Sequence, residues 1–160
     1  MTVANQKDFK MGEPSGSIEI LIPFFAEPLR VTRIVSDYTG TLSFHGRLIP
    51  GVQDRLSKLQ AVVAIDVLTA DSPGTAKVQL GGMPFLNLEI FKGGDRHDAL
   101  KQIHAKNKTP AQIAAFGNGN NDALLLKTVK AAGGLAVAVD NGEAARSKPC
   151  RMRTSLSLAS

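Results

Sequence analysis

The chain has 160 residues, 43% hydrophobic and 21% charged, with 15 Gly and 8 Pro, which fits one ordinary globular domain and excludes a disordered or collagen-like chain. No apolar run approaches the roughly 20 residues that cross a bilayer. The single cysteine, Cys150, excludes a disulfide framework and a multi-cysteine zinc site, and one Tyr with no Trp argues against a stacking platform for single-stranded nucleic acid.

The net charge of +5 is unevenly placed: residues 96–160 carry ten basic and four acidic side chains, densest at Arg146, Lys148, Arg151 and Arg153. A basic end without aromatic or helix-turn-helix signals reads as a solvated tail over 143–160 rather than a nucleic-acid site. With no apolar stretch of the secretory kind near Met1, the expected location is the cytoplasm.

In chain order, residues 1–16 show no periodicity and read as a flexible leader. Residues 18–22 read as a strand, 24–28 as a turn, and 29–36 as a strand entering a core, which together make an N-terminal β-hairpin. Pro50 suits the first turn of a helix over 50–60, with Val52, Leu56 and Leu59 at helical spacing. Residues 61–68 are almost continuously apolar, as in a buried parallel strand. A short helix over 74–80, closed by Gly81-Gly82, precedes an alternating strand over 85–91. Asp95 is placed to cap a helix over 96–107, with Leu100, Ile103 and His104 on one face. A strand over 113–116, a helix over 123–132 ended by Gly133-Gly134, and a strand over 135–139 complete the pattern. Strands alternating with helices predict an α/β domain over 17–142 with a mainly parallel sheet.

In such folds, ligands bind at the loops after the carboxyl ends of strands. Four segments lie there. In Ile34-Val-Ser-Asp-Tyr-Thr-Gly-Thr-Leu42 an apolar strand presents Asp37, Gly40 permits a tight turn, and Thr41 and backbone N–H groups surround the carboxylate. Asp37 can hold Mg²⁺ or attack phosphorus; the blander reading is an Asx turn. Thr69 ends the second buried strand, where its hydroxyl can hold a phosphate oxygen or cap a helix. Lys101, early in its helix, can neutralise phosphate charge or be one surface lysine among many. Gly117-Asn-Gly-Asn-Asn-Asp122 puts Asn118 and Asp122 on a strand-to-helix turn, where Asn121 or Asp122 can also serve as a cap.

Taken together and in this order, the four segments resemble the haloacid dehalogenase superfamily of phosphohydrolases. Asp37-Tyr-Thr-Gly-Thr-Leu42 resembles its first motif, Leu68-Thr-Ala-Asp71 its second, Lys101 its third and Gly117-Asn-Gly-Asn-Asn-Asp122 its fourth. Thr39, the run from Thr69 to Thr75 and the fourth motif are similar to the small soluble P-type-ATPase-like members, and the resemblance covers about residues 18–140. It implies a Rossmann-like three-layer sandwich with a minimal cap and an aspartyl-phosphate mechanism on a phosphorylated small molecule or protein. In that mechanism Asp37 is the nucleophile and a Mg²⁺ ligand, and the Thr39 carbonyl is a second ligand. Thr69, Ala70, Thr41 and Lys101 hold the phosphoryl group, while Asn118 and Asp122 complete or orient the metal site.

Three departures bear on that expectation. Thr39 stands where most phosphatases of the superfamily carry an Asp that acts as general acid and base, so hydrolysis of the intermediate should slow. Asn118 stands where the fourth motif often has Asp, which weakens the metal site. After Val139 the relatives continue into an Ala-Asp turn, a strand and a helix, whereas residues 147–160 run Ser-Lys-Pro-Cys-Arg-Met-Arg-Thr-Ser-Leu-Ser-Leu-Ala-Ser. These features favour a second expectation, a catalytically weak domain with a binding role.

Spacing excludes other readings. Thr69 lies 32 residues after Asp37, and Lys101 another 32 after Thr69. Neither gap holds the nucleotide-binding domain of an ion pump or a large cap, so a large substrate, a neighbouring subunit of a homo-oligomer, or loose selection is expected at an open site. His45, His97 and His104 lack metal-ligand spacing, and surface or partly packed roles are expected. Gly117-x-Gly119 is not a dinucleotide fingerprint, because Asp122 occupies the third glycine position.

Overall fold

A computed structural model describes residues 14–92 and 96–142. The leader up to residue 13, Asp95, Cys150 and the basic tail from 143 onward lie outside the described residues. Strand β1 (Ile18–Ile20) pairs antiparallel with β2 (Leu29–Val31) to form the N-terminal hairpin. After Thr32, β3 (Arg33–Ser36) enters the main sheet. The expected single strand over 29–36 is therefore two strands in two sheets. The Thr32 amide donates to the Gln112 carbonyl rather than to a ladder partner of β2.

A two-stranded ribbon, β4 (Ser43–Phe44) with β5 (Arg47–Leu48), follows the first motif. It is too short to leave a periodic signal. Helix α1 (Val52–Leu59) starts after Gly51, so Pro50 lies just outside it rather than in its first turn. Asp54 in its first turn and Lys58 in its last suit the helix dipole. Then come β6 (Ala64–Thr69), α2 (Ala76–Leu80), β7 (Asn87–Ile90), α3 (His97–Lys106), β8 (Ile113–Gly117), α4 (Ala123–Ala131) and β9 (Leu135–Ala138).

Five parallel strands run in the order β7-β6-β3-β8-β9. Every residue of β3 and β6 is buried, which suits the largely apolar sequence of β6, while Arg33 of β3 and Asp66 of β6 are buried as an ion pair. On one face Ile34, Ile65 and Val67 pack with Leu56 of α1 and with Ala76 and Leu80 of α2. On the other, Val35, Leu68 and Ala115 pack with Ala105 of α3 and with Leu125 and Val129 of α4. The architecture is a Rossmann-like α/β/α sandwich with an appended N-terminal hairpin. The hairpin's Ile18, Ile20 and Leu29 extend the first of these clusters.

The inward face of α3 differs in part from the expected one. Lys101 and Ala105 are its buried residues, Leu100 is partly buried, and Ile103 is 51% exposed. Leu100 and His104 of the expected face do turn inward, but a fully buried lysine stands at the centre of the stripe and Ile103 turns out to solvent. The helix begins after Arg96, whose side chain makes no capping bond.

From β3 the chain winds one way to β6 and β7, then crosses to β8 and β9 on the other side. That reversal is a topological switch point, and it opens a crevice beyond the carboxyl ends of β3 and β8. No helix among the described residues is long and apolar enough to cross a membrane.

Candidate active site

Asp37 follows β3 directly, and its amide continues the ladder by donating to the Phe116 carbonyl at 3.0 Å. The loop beyond it closes tightly. The Tyr38 carbonyl accepts from the amides of Thr41, Leu42 and Ser43 and from the Ser43 hydroxyl. The Tyr38 ring is fully buried, with its hydroxyl on the Gly46 carbonyl at 3.0 Å. The turn is thus held from both ends, which fixes the direction of the Asp37 carboxylate.

Asp122 approaches from the other side of the crevice. Its Oδ2 accepts from the amides of Asn118 and Gly119 at 3.0 and 3.2 Å, so it holds the turn before it and makes no side-chain cap on α4, unlike the capping reading. Its Oδ1 lies 2.6 Å from Lys101 Nζ, which also reaches Asp37 Oδ1 at 2.8 Å. Lys101 and Asp122 are both fully buried. One ammonium therefore bridges two buried carboxylates. Removing such a partner leaves uncompensated buried charge, at a cost of about 3–5 kcal/mol. Burial pushes the Asp37 carboxyl up to about 6, against the pull of the Lys101 ammonium and with help from the Asp122 charge.

Two glycines permit this closeness. A Cβ on Gly117 would sit 2.4 Å from Asp122 Cβ, and one on Gly40, where φ is +75°, would sit 1.9 Å from Asn118 Nδ2. Any larger residue at either position would push the fourth-motif turn away from the first.

A cavity of about 210 Å³ opens above the carboxylates, lined by Asp37, Thr39, Thr69, Ala70, Ser72, Asn118, Gly119 and Asn121. Thr69 is fully buried, and its hydroxyl accepts from the Asp71 amide at 2.9 Å. That leaves the hydroxyl proton to be donated. Asp71, in a left-handed conformation with φ of 47°, caps α2 by accepting from the Thr75 and Ala76 amides. The capping role considered for Thr69 thus belongs to Asp71.

Asp37, Thr39, Thr69, Ala70 and Asn118 line the cavity; Lys101 and Asp122 do not, being fully buried behind it, where Lys101 reaches Asp37 at 2.8 Å. Thr41 is buried nearby but does not line it. Ser72 and Asn121 are additional lining residues. Ser72 lies three positions past Thr69 on the same loop, a spacing the sequence displays without marking it as functional.

The Oγ1 atoms of Thr39 and Thr41 are buried without a hydrogen-bond partner, a costly state for a hydroxyl unless a ligand or water completes it. The surrounding donors are oxygens: the Asp37 carboxylate, the Thr39 and Asn118 oxygens, and the threonine hydroxyls. No group of three or more His, Cys, Asp or Glu is gathered for a metal among the described residues. Mg²⁺ does not require one, since it is held by one or two carboxylates and keeps several waters. The donor set fits that ion.

The histidines divide as their neighbours dictate. His45 occupies the β4–β5 turn with φ of 48°. His97 stacks on Phe91 at 5.7 Å. His104 reaches inward to Asp66. None approaches the cavity lining.

Fold and site together define an α/β domain with a polar crevice at the switch point of its parallel sheet. No protein-family model and no curated protein sequence matches the chain. Among solved structures it is similar to a hypothetical protein of Xanthomonas campestris, with a TM-score of 0.50 and 19% identity over 66% of this chain and 62% of that one. The chain thus spans less than two thirds of that protein's length, and the likeness is one of fold.

Proposed function

We propose that this chain is a Mg²⁺-dependent phosphoryl-transfer enzyme of the haloacid dehalogenase type, acting through an aspartyl phosphate on Asp37. The observation that carries the reading is the buried Lys101 ammonium, 2.8 Å from Asp37 and 2.6 Å from Asp122, behind the point where Asp37 meets a cavity lined by hydroxyls and amides. Asp37 and the Thr39 carbonyl would hold the metal, Asn118 would add a neutral oxygen, and Asp122, with its oxygens engaged, would orient the site. Bound Mg²⁺ supplies neutralisation of the charge on the phosphoryl oxygens.

The residues divide the work as follows. Lys101 holds Asp37 ionised and in place and offers positive charge to the transferring group. Thr69 donates its hydroxyl proton to a phosphoryl oxygen, assisted by the Ala70 amide. A carboxylate oxygen of Asp37 attacks phosphorus while the bond to the leaving oxygen breaks, and the electron pair departs on that oxygen. Water then attacks the phosphorus of the aspartyl phosphate, which releases inorganic phosphate and restores the carboxylate. The attacking water must lose a proton. Thr39 cannot accept it near neutral pH, so this second step is the slow one.

A second reading, a catalytically weak domain that binds a phosphorylated partner, is favoured by the same Thr39 and by Asn118. Rapid-quench labelling with a phosphate donor distinguishes the two. The first reading expects a phosphoenzyme that is acid-stable, hydroxylamine-sensitive, Mg²⁺-dependent and lost in Asp37→Asn. Phosphate binding without any covalent label would overturn it in favour of the second. The short β4–β5 ribbon covers little of the cavity, which supports a phosphoprotein substrate or a second copy of the chain as cover. Light scattering on the active protein separates these, since a strictly monomeric enzyme leaves the cover to its substrate.

A further inference from the structure

Arg33, Asp66 and His104 form a charged cluster that the chemistry above does not use. Arg33 Nη1 donates to both Asp66 oxygens at 2.8 and 2.9 Å. His104 Nε2 lies 2.6 Å from Asp66 Oδ2, and Glu89 is more distant, 3.8 Å from His104 Nδ1. Asp66 is 1% exposed and the His104 side chain 13%. Burial alone would raise the Asp66 carboxyl, yet the His104 hydrogen bond and the Arg33 charge hold it below the ordinary 3.8. Buried ionic clusters are poor sources of net stability, since apolar residues of the same volume often serve as well. What such a cluster supplies is a defined geometry between the elements it joins.

Its placement makes that geometry relevant. Arg33 begins β3, which leads to Asp37. Asp66 lies on β6, three residues before Thr69. His104 lies on α3, three residues after Lys101 and on the same helical face. Arg33, Asp37 and Asp66 project toward the α3 side of the sheet, as their contacts with His104 and Lys101 show. Three of the four elements that deliver a site group therefore carry one member of the cluster each; the β8–α4 turn, which delivers Asn118 and Asp122, carries none. Leu100 and Ala105 in the apolar cluster, the Gln102–Thr128 hydrogen bond to α4 and the His97–Phe91 stack also hold α3, and the charged cluster adds to these a polar tie to β3 and β6.

We infer that Arg33, Asp66 and His104 act as a positioning clamp that fixes α3 against β3 and β6 and so keeps Lys101 Nζ between Asp37 and Asp122. The inference rests on the phosphoryl-transfer reading for what Lys101 does, but not for where Lys101 sits. An imidazole Nε2–H donates to a carboxylate whether or not the ring is charged, so the clamp needs a donor rather than a cation. Freed from Asp66, α3 can shift by a fraction of a turn, and Lys101 shifts with it. A misplacement of about 1 Å costs on the order of 10²-fold in rate.

The test uses His104→Leu, which fills the volume without a donor, His104→Gln, which restores an N–H, and Asp66→Asn, which keeps shape and removes the charge. Two readouts are taken on the full chain: acylation of Lys101 by acetic anhydride, followed by mass spectrometry, and the rate of phosphoenzyme formation. In the natural protein Lys101 should resist acylation while exposed lysines react. In His104→Leu and Asp66→Asn its labelling should rise clearly and phosphoenzyme formation should fall by about 10²-fold, with little change in donor KM. His104→Gln should restore both. Folded His104→Leu and Asp66→Asn proteins that label Lys101 no faster than the natural chain would overturn the clamp. If His104→Leu does not fold, Asp66→Asn decides alone. If the natural chain forms no phosphoenzyme, the phosphoryl-transfer reading falls and the labelling still decides the clamp.

Discussion

Thr39 is the residue on which turnover depends. It lines the cavity beside Asp37, and its Oγ1 is buried without a partner. A hydroxyl there can orient a ligand oxygen but cannot take a proton from water near pH 7. Formation of the aspartyl phosphate tolerates this when the leaving group is good, whereas its hydrolysis lacks a base that typically contributes about 10²–10⁴-fold. Thr39→Asp should therefore speed breakdown of the phosphoenzyme within that range, measured by chase after rapid-quench labelling. A Thr39→Asp protein that binds Mg²⁺ normally but loses its label no faster would count against the assignment. The added charge will also lie close to Asp37 and Asp122, so Mg²⁺ should bind more tightly to this variant.

Helix α3 illustrates how an element's span can be read correctly and its inward face only in part. Its span is clear from periodicity, but the buried positions are Lys101 and Ala105 rather than Ile103. Two substitutions test the observed face. Ile103→Lys should change stability by no more than about 0.5 kcal/mol, as an exposed position predicts. Ala105→Leu should destabilise by about 1–3 kcal/mol, because Ala105 has no exposed surface and packs under α3 against the sheet. Chemical denaturation of both variants measures this, and a large loss in Ile103→Lys with none in Ala105→Leu would contradict the packing. The β4–β5 ribbon is the opposite case. Tyr38 anchors it through the Gly46 carbonyl, eight residues on, and Gln79 through the Leu48 amide, 31 residues away in sequence.

Across the whole molecule, the two perturbed buried carboxyls make stability depend on pH in opposite directions. Asp37, raised to about 6, holds its proton more tightly when folded than an ordinary carboxyl at 3.8. Its contribution is full below pH 3.8 and is lost as pH rises through about 6. Asp66, held below 3.8, contributes above that pH, and the contribution is lost as pH falls through its folded value. In thermal melts with a chelator, the natural chain should lose stability relative to Asp37→Asn as pH rises from about 4 to 7. Mg²⁺ should restore it at pH 7 by binding the folded state, and should do little near pH 4, where a proton occupies Asp37. A melting temperature at pH 7 that ignores Mg²⁺ would remove the metal from the proposed site.

The sequence alone determined the parallel α/β class. The alternating segment over 29–36 and the apolar run over 61–68 read as strands entering a core, and a helical period separates them. It also singled out Asp37, Asn118 and Asp122, which stand in or beside Gly-containing turns after apolar strands, whereas Thr69 and Lys101 stand out only through the resemblance of the four segments taken in order. Only the tertiary structure decided how these groups meet. That Lys101 is buried rather than solvated follows from two carboxylates on β3 and the β8–α4 turn, 64 and 21 residues away in sequence. That Asp66 and His104 belong together follows from α3 crossing β6, and neither residue carries a local sign of the other. Periodicity records which residues avoid water, whereas a buried charge is specified by the partner that the fold brings to it.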